Sequence, residues 1–141
     1  MTRYQIGQAL IEVTIAVAVV IILVTSLVAV TTFSLKTSRM GQMRSRAVKS
    51  AEEGLELVRQ KKNAGWTAFR ALDGAWCLDQ EGVWTAAEEF CPITDVKGFQ
   101  RTVDLTWNEV SSRMDVTVTA GWYEGDDYFQ SRLDSFFTEW K

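Results

Sequence analysis

The longest apolar feature of the chain is a stretch of 23 residues without a charged side chain, from Val13 to Leu35. It consists of Val, Ile, Ala, Leu and Phe with a few Thr and Ser, and it contains neither Gly nor Pro. About 20 consecutive apolar residues allow a helix to cross the hydrocarbon core of a bilayer. The pattern therefore predicts a membrane-spanning helix over residues 8–35. A cleaved secretory signal peptide is the alternative, but its apolar region is shorter, at about 7–15 residues.

After this stretch the apolar positions keep a helical period but occupy only one face. Between residues 36 and 62 they recur at spacings of three and four, which is typical of a helix with one buried side. The predicted face consists of Met40, Met43, Ala47, Ala51, Leu55 and Val58. Because no Pro interrupts residues 9–62, we predict one continuous helix. Gly41 and Gly54 each weaken it by about 1 kcal/mol relative to Ala.

The last third of the chain alternates between apolar and polar positions, which is the period of half-buried β-strands. The alternation is clear in "VDLTW" and "MDVTVTAGW" and rougher in "FQSRLDSFF". The segments "NEVSSR" and "EGDD" between them have the composition of turns. We therefore predict an antiparallel sheet of about three strands over residues 99–141, packed on the amphipathic half of the helix. The predicted fold class is α+β.

A connector, residues 63–98, joins the predicted helix to the predicted sheet. The connector and the sheet together form a globular head of residues 63–141. The connector is rich in Trp and Gly and holds both cysteines of the chain. Its tryptophans, Trp66, Trp76 and Trp84, are expected to pack mainly in the core. The alternative is an exposed adhesive patch formed by these three side chains.

Composition narrows the functional classes. The 141 residues carry a formal net charge of −3 and include no His. The lack of His disfavours His-dependent triads and most zinc sites, although lysine-based catalysis and carboxylate metal sites stay open. No nucleophile–base pair and no metal-ligand cluster stands out in the sequence. We therefore expect no enzymatic activity, no cofactor and no metal.

Charge is divided unevenly along the chain. Residues 36–62 contain eight basic and three acidic side chains, whereas residues 63–141 contain six basic and fourteen acidic ones. A net-negative head lacks the basic surface of a nucleic-acid-binding domain, so nucleic acid is not an expected partner. Stacked copies of the chain could set the basic segment of one against the acidic head of another. Ordinary solvated surface is the alternative reading of the same charges.

One acidic residue, Glu12, lies at the start of the apolar segment, within the sequence "GQALIE" of residues 7–12. A carboxylate at membrane depth costs about 2.5–3.5 kcal/mol on insertion scales, so such a residue usually marks a function. The alternative is an interfacial glutamate whose carboxylate reaches the bilayer surface.

The order of these features resembles the class III signal of type IV prepilins and pseudopilins: a short polar leader ending in Gly7, then Glu12, then an apolar helix. The resemblance implies that a membrane prepilin peptidase removes residues 1–7, cutting between Gly7 and Gln8, and that the new Gln8 amine is methylated. It also implies that Glu12 of one subunit pairs with the Gln8 amine of a neighbour as filaments grow. The family's lollipop fold, a long N-terminal helix packed on a small antiparallel sheet, agrees with the periodicities above.

Several features depart from that family pattern. Family members usually have an aromatic residue after the glycine and Thr or Ser next, where this chain has Gln8 and Ala9. Many also carry a Pro within the apolar run, and this chain has none. Arg3 is the only charged side chain of the leader, whereas five basic residues follow the span: Lys36, Arg39, Arg44, Arg46 and Lys49. The positive-inside rule then places the C-terminal part in the cytoplasm, opposite to the prepilin topology.

The two cysteines, Cys77 and Cys91, bracket 13 residues of the connector. If the head lies outside the cytoplasm, a disulfide between them is expected and would contribute about 3 kcal/mol in the loop-entropy model. Two free thiols are the alternative.

Taken together, the residues and the resemblance predict a structural subunit of a type IV pilus or a type II secretion pseudopilus. The chain is expected in the inner membrane as a single-pass protein before assembly, and then in an extracellular or periplasmic filament. Expected partners are other pilin subunits, the prepilin peptidase/methyltransferase, an inner-membrane assembly platform and, before assembly, membrane lipid. The alternative is an uncleaved single-pass membrane protein with a small extracytoplasmic binding or sensing domain. Neither reading distinguishes a major from a minor subunit.

Overall fold

A computed structural model describes residues 3–87, 91–92 and 98–139, with side chains from residue 9 onwards. The chain divides into two units after Gly41, and one helix, α1 (Arg3–Ala64), contributes to both. In the first unit the structure describes only the N-terminal part of α1, where the large apolar side chains from Leu10 to Leu35 are 49–74% exposed. Its most apolar window has a mean hydropathy of 3.0, and α1 is long and apolar enough to cross a membrane. The predicted continuous helix is confirmed.

The second unit, from residue 42 onwards, combines the C-terminal part of α1 with a short helix, α2 (Trp66–Arg70), and a sheet. The five strands are β1 (Gly74–Leu78), β2 (Trp84–Ala86), β3 (Gln100–Asn108), β4 (Arg113–Glu124) and β5 (Asp127–Thr138). Their order is β2-β1-β3-β4-β5, and every neighbouring pair is antiparallel. The predicted α+β fold is confirmed, with β3, β4 and β5 as the predicted meander.

Within the described residues the sheet has five strands rather than the predicted three, because the connector contributes β1 and β2. These strands are only five and three residues long, and β1 shows no alternation of buried and exposed positions. Such short segments cannot display a period of two in the sequence, so only their pairing with other strands identifies them as strands. β1 pairs antiparallel with β3, with Trp76 opposite Val103 and Cys77 opposite Thr102.

Both predicted turns of the meander are confirmed. Between β3 and β4, the Asn108 side chain accepts a hydrogen bond from the Ser111 backbone N–H at 3.1 Å. Between β4 and β5, a two-residue turn contains Gly125 at a φ of 66° and closes on the pair Glu124 and Asp127. A left-handed residue at this place is what a tight hairpin requires, and glycine adopts it without steric cost.

The core of the second unit lies between α1 and one face of the sheet. Of the predicted helix face in this unit, Ala47, Ala51 and Val58 are fully buried, whereas Met43 and Leu55 are half-buried. Met40, which belongs to the first unit, is also half-buried. The alternating residues of the sheet face the helix as predicted: Val103, Leu105, Met114, Val116, Val118, Ala120 and Trp122. The small residues of α1 therefore set a close approach between the helix and the sheet.

The approach leaves no room for a side chain at Gly54, where a Cβ atom would lie 2.7 Å from Arg101 Cδ and 2.9 Å from Val118 Cγ1. The Arg101 side chain is 3% exposed. Its guanidinium donates to Ser50 Oγ at 3.1 Å and lies 3.5 Å from the Glu53 carboxylate. A buried guanidinium needs such partners, because an uncompensated charge in the core is destabilising. Arg101 thus connects β3 to α1 beside the glycine.

Candidate functional site

The apolar part of α1 satisfies its hydroxyl groups locally. Five hydroxyls donate to backbone carbonyls three or four residues earlier at 2.7–3.1 Å: those of Thr14, Thr25, Ser26, Thr31 and Thr32. In an apolar solvent such bonds remove most of the penalty of a polar side chain. Glu12 is then the only ionisable residue between residues 9 and 35.

Glu12 lies on the surface of α1, and its neighbours Leu10, Ile11 and Val13 are 61–65% exposed. Among the residues whose side chains the structure describes, no basic group forms an ion pair with it. The backbone of Gly7 and Gln8 belongs to the same helix, and their side chains lie outside the described part. Gln8 precedes Glu12 by one helical turn, about 6 Å along the axis.

The cysteines form the predicted disulfide. Cys77 on β1 and Cys91 are joined with an S–S distance of 2.04 Å and a Cα–Cα distance of 5.3 Å. Both residues are buried, and the Thr102 hydroxyl lies 3.5 Å from the Cys91 sulfur. The bond therefore fastens the segment after β2 to β1, the strand next to it in the sheet.

The three connector tryptophans do not gather into one patch. Trp76 and Trp84 pack edge to face across β1 and β2 at 6.2 Å, and the Trp76 indole donates to the Leu72 carbonyl at 2.8 Å. Trp66 belongs to another group and packs on Phe69 and Trp107. All three are half-buried, so the prediction of packing describes them better than the adhesive patch.

A small cleft of about 290 Å³ lies beside this second aromatic group, lined by Trp66, Arg70, Trp107, Ser112 and Glu139. The Arg70 guanidinium covers the Trp107 ring at 4.3 Å, so the indole face is occupied by a cation from the same chain. This contact fixes α2 against the start of the β3–β4 turn.

Within the described residues, no group of three His, Cys, Asp or Glu side chains is arranged to hold a metal ion.

The outer face of β4 and β5 carries polar and aromatic side chains. Asp134 accepts hydrogen bonds from the Thr117 hydroxyl at 2.7 Å and from Arg132 Nε at 2.9 Å. These two donors, Thr117 first, hold the pKa of the Asp134 carboxyl below its ordinary value. Towards the β4–β5 turn, the Tyr128 ring lies over Gly121, which leaves no room for a side chain there.

Three comparisons with known proteins give no relative. No family model, no curated protein and no solved structure matches the chain. Sequence reasoning missed the polar contact between Arg101 and Ser50, which no spacing or motif indicates, because the two residues are 51 positions apart.

Proposed function

We propose that the chain is a pilin-like structural subunit, cut after Gly7 and assembled through residues 8–35. The observation that carries the proposal is the continuity of α1 from Arg3 to Ala64. One unbroken helix bears Glu12 within an apolar segment and, further along, forms one side of the head's core. A chain built in this way can be held in a membrane or a filament by one part of the helix and present a folded head by the other.

The exposed apolar surface of the first unit supports the same role. Large apolar side chains exposed by about half or more cover this part of α1 on every side. Surface of that extent is unfavourable in water and requires lipid or protein around it. In the proposed life cycle, lipid covers the segment before assembly and the same segments of other subunits cover it afterwards. The role is structural and needs no cofactor.

Glu12 has a defined part in this proposal. The amine created at Gln8 by cleavage is cationic, and two opposite charges in an apolar environment attract far more strongly than in water. Pairing between Glu12 of one subunit and the Gln8 amine of another would favour one axial register. An unpaired carboxylate in the same environment would be strongly unfavourable.

The Cys77–Cys91 disulfide bears on the topology of the protein. Disulfides persist in oxidising compartments and are rare in the cytosol. The bond therefore favours a head outside the cytoplasm. The five basic residues that follow the span favour the opposite topology, with the head in the cytoplasm. The proposed partners are other pilin subunits, the prepilin peptidase/methyltransferase and an inner-membrane assembly platform.

Those basic residues favour the second candidate, an uncleaved single-pass membrane protein. The two candidates differ in their processing, so the mature N-terminus decides between them. We expect mass spectrometry of the protein, coexpressed with a prepilin peptidase and extracted from membranes, to find a chain beginning at a methylated Gln8. Met1 still attached in assembled material would contradict the proposal. Gly7→Val should block cutting, because a bulky side chain does not fit beside the scissile bond.

Assembly provides the second test. Glu12→Gln keeps the size of the side chain and removes its charge, so insertion, cleavage and head folding should stay intact. The fraction found in sheared filaments should fall sharply relative to the membrane pool, because the neighbouring amine loses its counter-charge. Leu10→Ala is the matched control, since it removes apolar volume beside the same position and leaves the charge. Equal incorporation of Glu12→Gln and the native chain would exclude the pairing.

A further inference from the structure

The two edges of the sheet are built very differently. β2 forms one edge with three residues, whereas β5 forms the other with twelve. Natural proteins protect an open edge by making it short, by bulging it, or by placing charged side chains, especially Lys, or Pro on it. β5 pairs with β4 through twelve consecutive residues without a bulge, and it contains no Lys, Pro or Gly. It is therefore a long, regular strand with an open side.

The backbone groups on that open side can be assigned from the hairpin. A two-residue turn closes on a hydrogen-bonded pair, here Glu124 and Asp127, and hydrogen-bonded pairs then recur at every second residue. The odd-numbered residues of β5 thus bond to β4. The N–H and C=O groups of the even-numbered residues, from Tyr128 to Thr138, point away from the sheet. No backbone hydrogen bond from another described segment reaches them.

The side chains of β5 also divide by parity. Odd-numbered residues from Phe129 to Phe137 are half-buried or buried on the helix side, whereas even-numbered residues from Tyr128 to Phe136 are exposed on the outer side. A partner strand must match both faces, because a slip of one residue exchanges them. Only registers that pair odd with odd residues keep the two faces in place.

From these observations we infer that β5 is a self-complementary edge that pairs antiparallel with β5 of a second copy of this chain, about a two-fold axis at Leu133. In this register Arg132 of each copy lies opposite Asp134 of the other. Opposite charges directly across a strand pair are stabilising, and like charges are destabilising. The same register sets Phe129 opposite Phe137 on the helix side, and it matches every residue from Tyr128 to Thr138.

Neighbouring registers do not have this complementarity. An axis at Arg132 would place the two Arg132 side chains opposite each other, and an axis at Asp134 would do the same for the two carboxylates. An axis at Ser131 or Ser135 leaves both charges opposite uncharged side chains. Charge thus selects one register among those that keep the faces in place. Within each copy, Arg132 already lies 2.9 Å from Asp134 across the outer face, so the paired strands would carry four alternating charges.

The pairing uses only β5 and goes beyond the proposed filament role. It is tested on the full, uncut chain, in a Gly7→Val background, reconstituted in liposomes. Leu133→Cys should give a disulfide-linked homodimer under mild oxidation, because the Cα atoms of a non-hydrogen-bonded pair are about 4.5 Å apart, which a disulfide spans. Gln130→Cys is the matched control, since its two copies would lie about 20 Å apart in this register.

Charge variants added to Leu133→Cys test the register itself. Asp134→Arg places basic side chains opposite each other at two symmetric positions and should lower the dimer yield about tenfold. Arg132→Asp combined with Asp134→Arg restores opposite charges and should restore the yield. The unfolding midpoint of each monomeric variant, measured by tryptophan fluorescence, should equal that of the native chain, which verifies that the variant folds.

Any one of three results would overturn the inference. These are no dimer from Leu133→Cys, a dimer yield from Gln130→Cys equal to that from Leu133→Cys, or a dimer yield that does not change when the charge variants are added. A cross-link from Leu133→Cys to a different protein, without a homodimer, would likewise reject the second copy as the partner. Because the Gly7→Val chain does not assemble in the proposed way, a dimer found there stands even if Glu12 has no part in a filament.

Discussion

Val28 and Val58 lie on the same helix, yet Val28 is 56% exposed and Val58 is fully buried. The backbone around them is the same, so the difference lies in what surrounds the side chains. Around Val28, helical hydrogen bonds and local hydroxyl contacts are the only internal stabilisation that the structure describes. Val58, in contrast, belongs to the buried core of the second unit. A continuous helix can thus join a segment that depends on its environment to one that depends on tertiary packing.

The two glycines of α1 show the same contrast more sharply. Nothing lies within 4 Å of a Cβ built at Gly41, whereas a Cβ at Gly54 would meet Arg101 and Val118 below 3.0 Å. Helix propensity treats the two positions alike. In the structure, Gly54 is required for the approach of helix and sheet, and Gly41 carries only the entropic cost of a flexible residue.

The largest expected effect comes from matched phenylalanine truncations. Phe69 is 1% exposed and packs edge to face on Phe137, whereas Phe33 is 74% exposed. Phe69→Ala should lower the free energy of unfolding of the head by about 3–5 kcal/mol. Phe33→Ala should change it by less than about 0.5 kcal/mol.

Urea titration of the full chain in detergent measures both changes. All six tryptophans lie beyond residue 64, so their fluorescence reports on the head alone. Similar losses for the two variants would show that the head's stability depends on the apolar half of α1, and the contrast drawn here would be wrong.

Loss of the disulfide should have the next largest effect. Replacing both Cys77 and Cys91 by Ser should lower the free energy of unfolding by about 3 kcal/mol, because the unfolded chain regains the freedom of the loop that the bond closes. The helicity of the first unit should not change. Non-reducing peptide mapping should recover the Cys77–Cys91 link in native protein, and full alkylation of both thiols without reductant would contradict it.

The glycine pair should give the smallest effect, with opposite signs. Gly54→Ala should destabilise the head by about 1–3 kcal/mol, because the new methyl group overpacks the contact with β3 and β4. Gly41→Ala should stabilise the helix by up to about 1 kcal/mol, as helix propensity alone predicts. The same urea titration, with circular dichroism for the helix, distinguishes them. If Gly54→Ala is stabilising, Arg101 moves aside more easily than its hydrogen bonds indicate.

The helix, its apolar and amphipathic halves, and the meander of β3, β4 and β5 could all be predicted from the amino-acid sequence. These features follow from periodicities of 3.6 and 2 residues, which each segment displays within its own length. The bond between the two cysteines was also expected, provided that the head lies in an oxidising compartment. What the resemblance implies about Gly7, Gln8 and Glu12 concerns processing and assembly, and it remains for the experiments above.

Three features became visible only in the folded chain: β1 and β2 join the sheet, Ser50 Oγ accepts a hydrogen bond from Arg101, and Gly54 lies at a contact between helix and sheet. Each depends on residues distant in the chain: β1 pairs with β3 about 27 residues later, and Ser50 meets Arg101 across 51 positions. A short strand or a lone polar residue carries no period of its own, so its neighbours decide its role. The same holds for the open edge of β5, whose complementarity becomes visible only when β4 is known to occupy the other side.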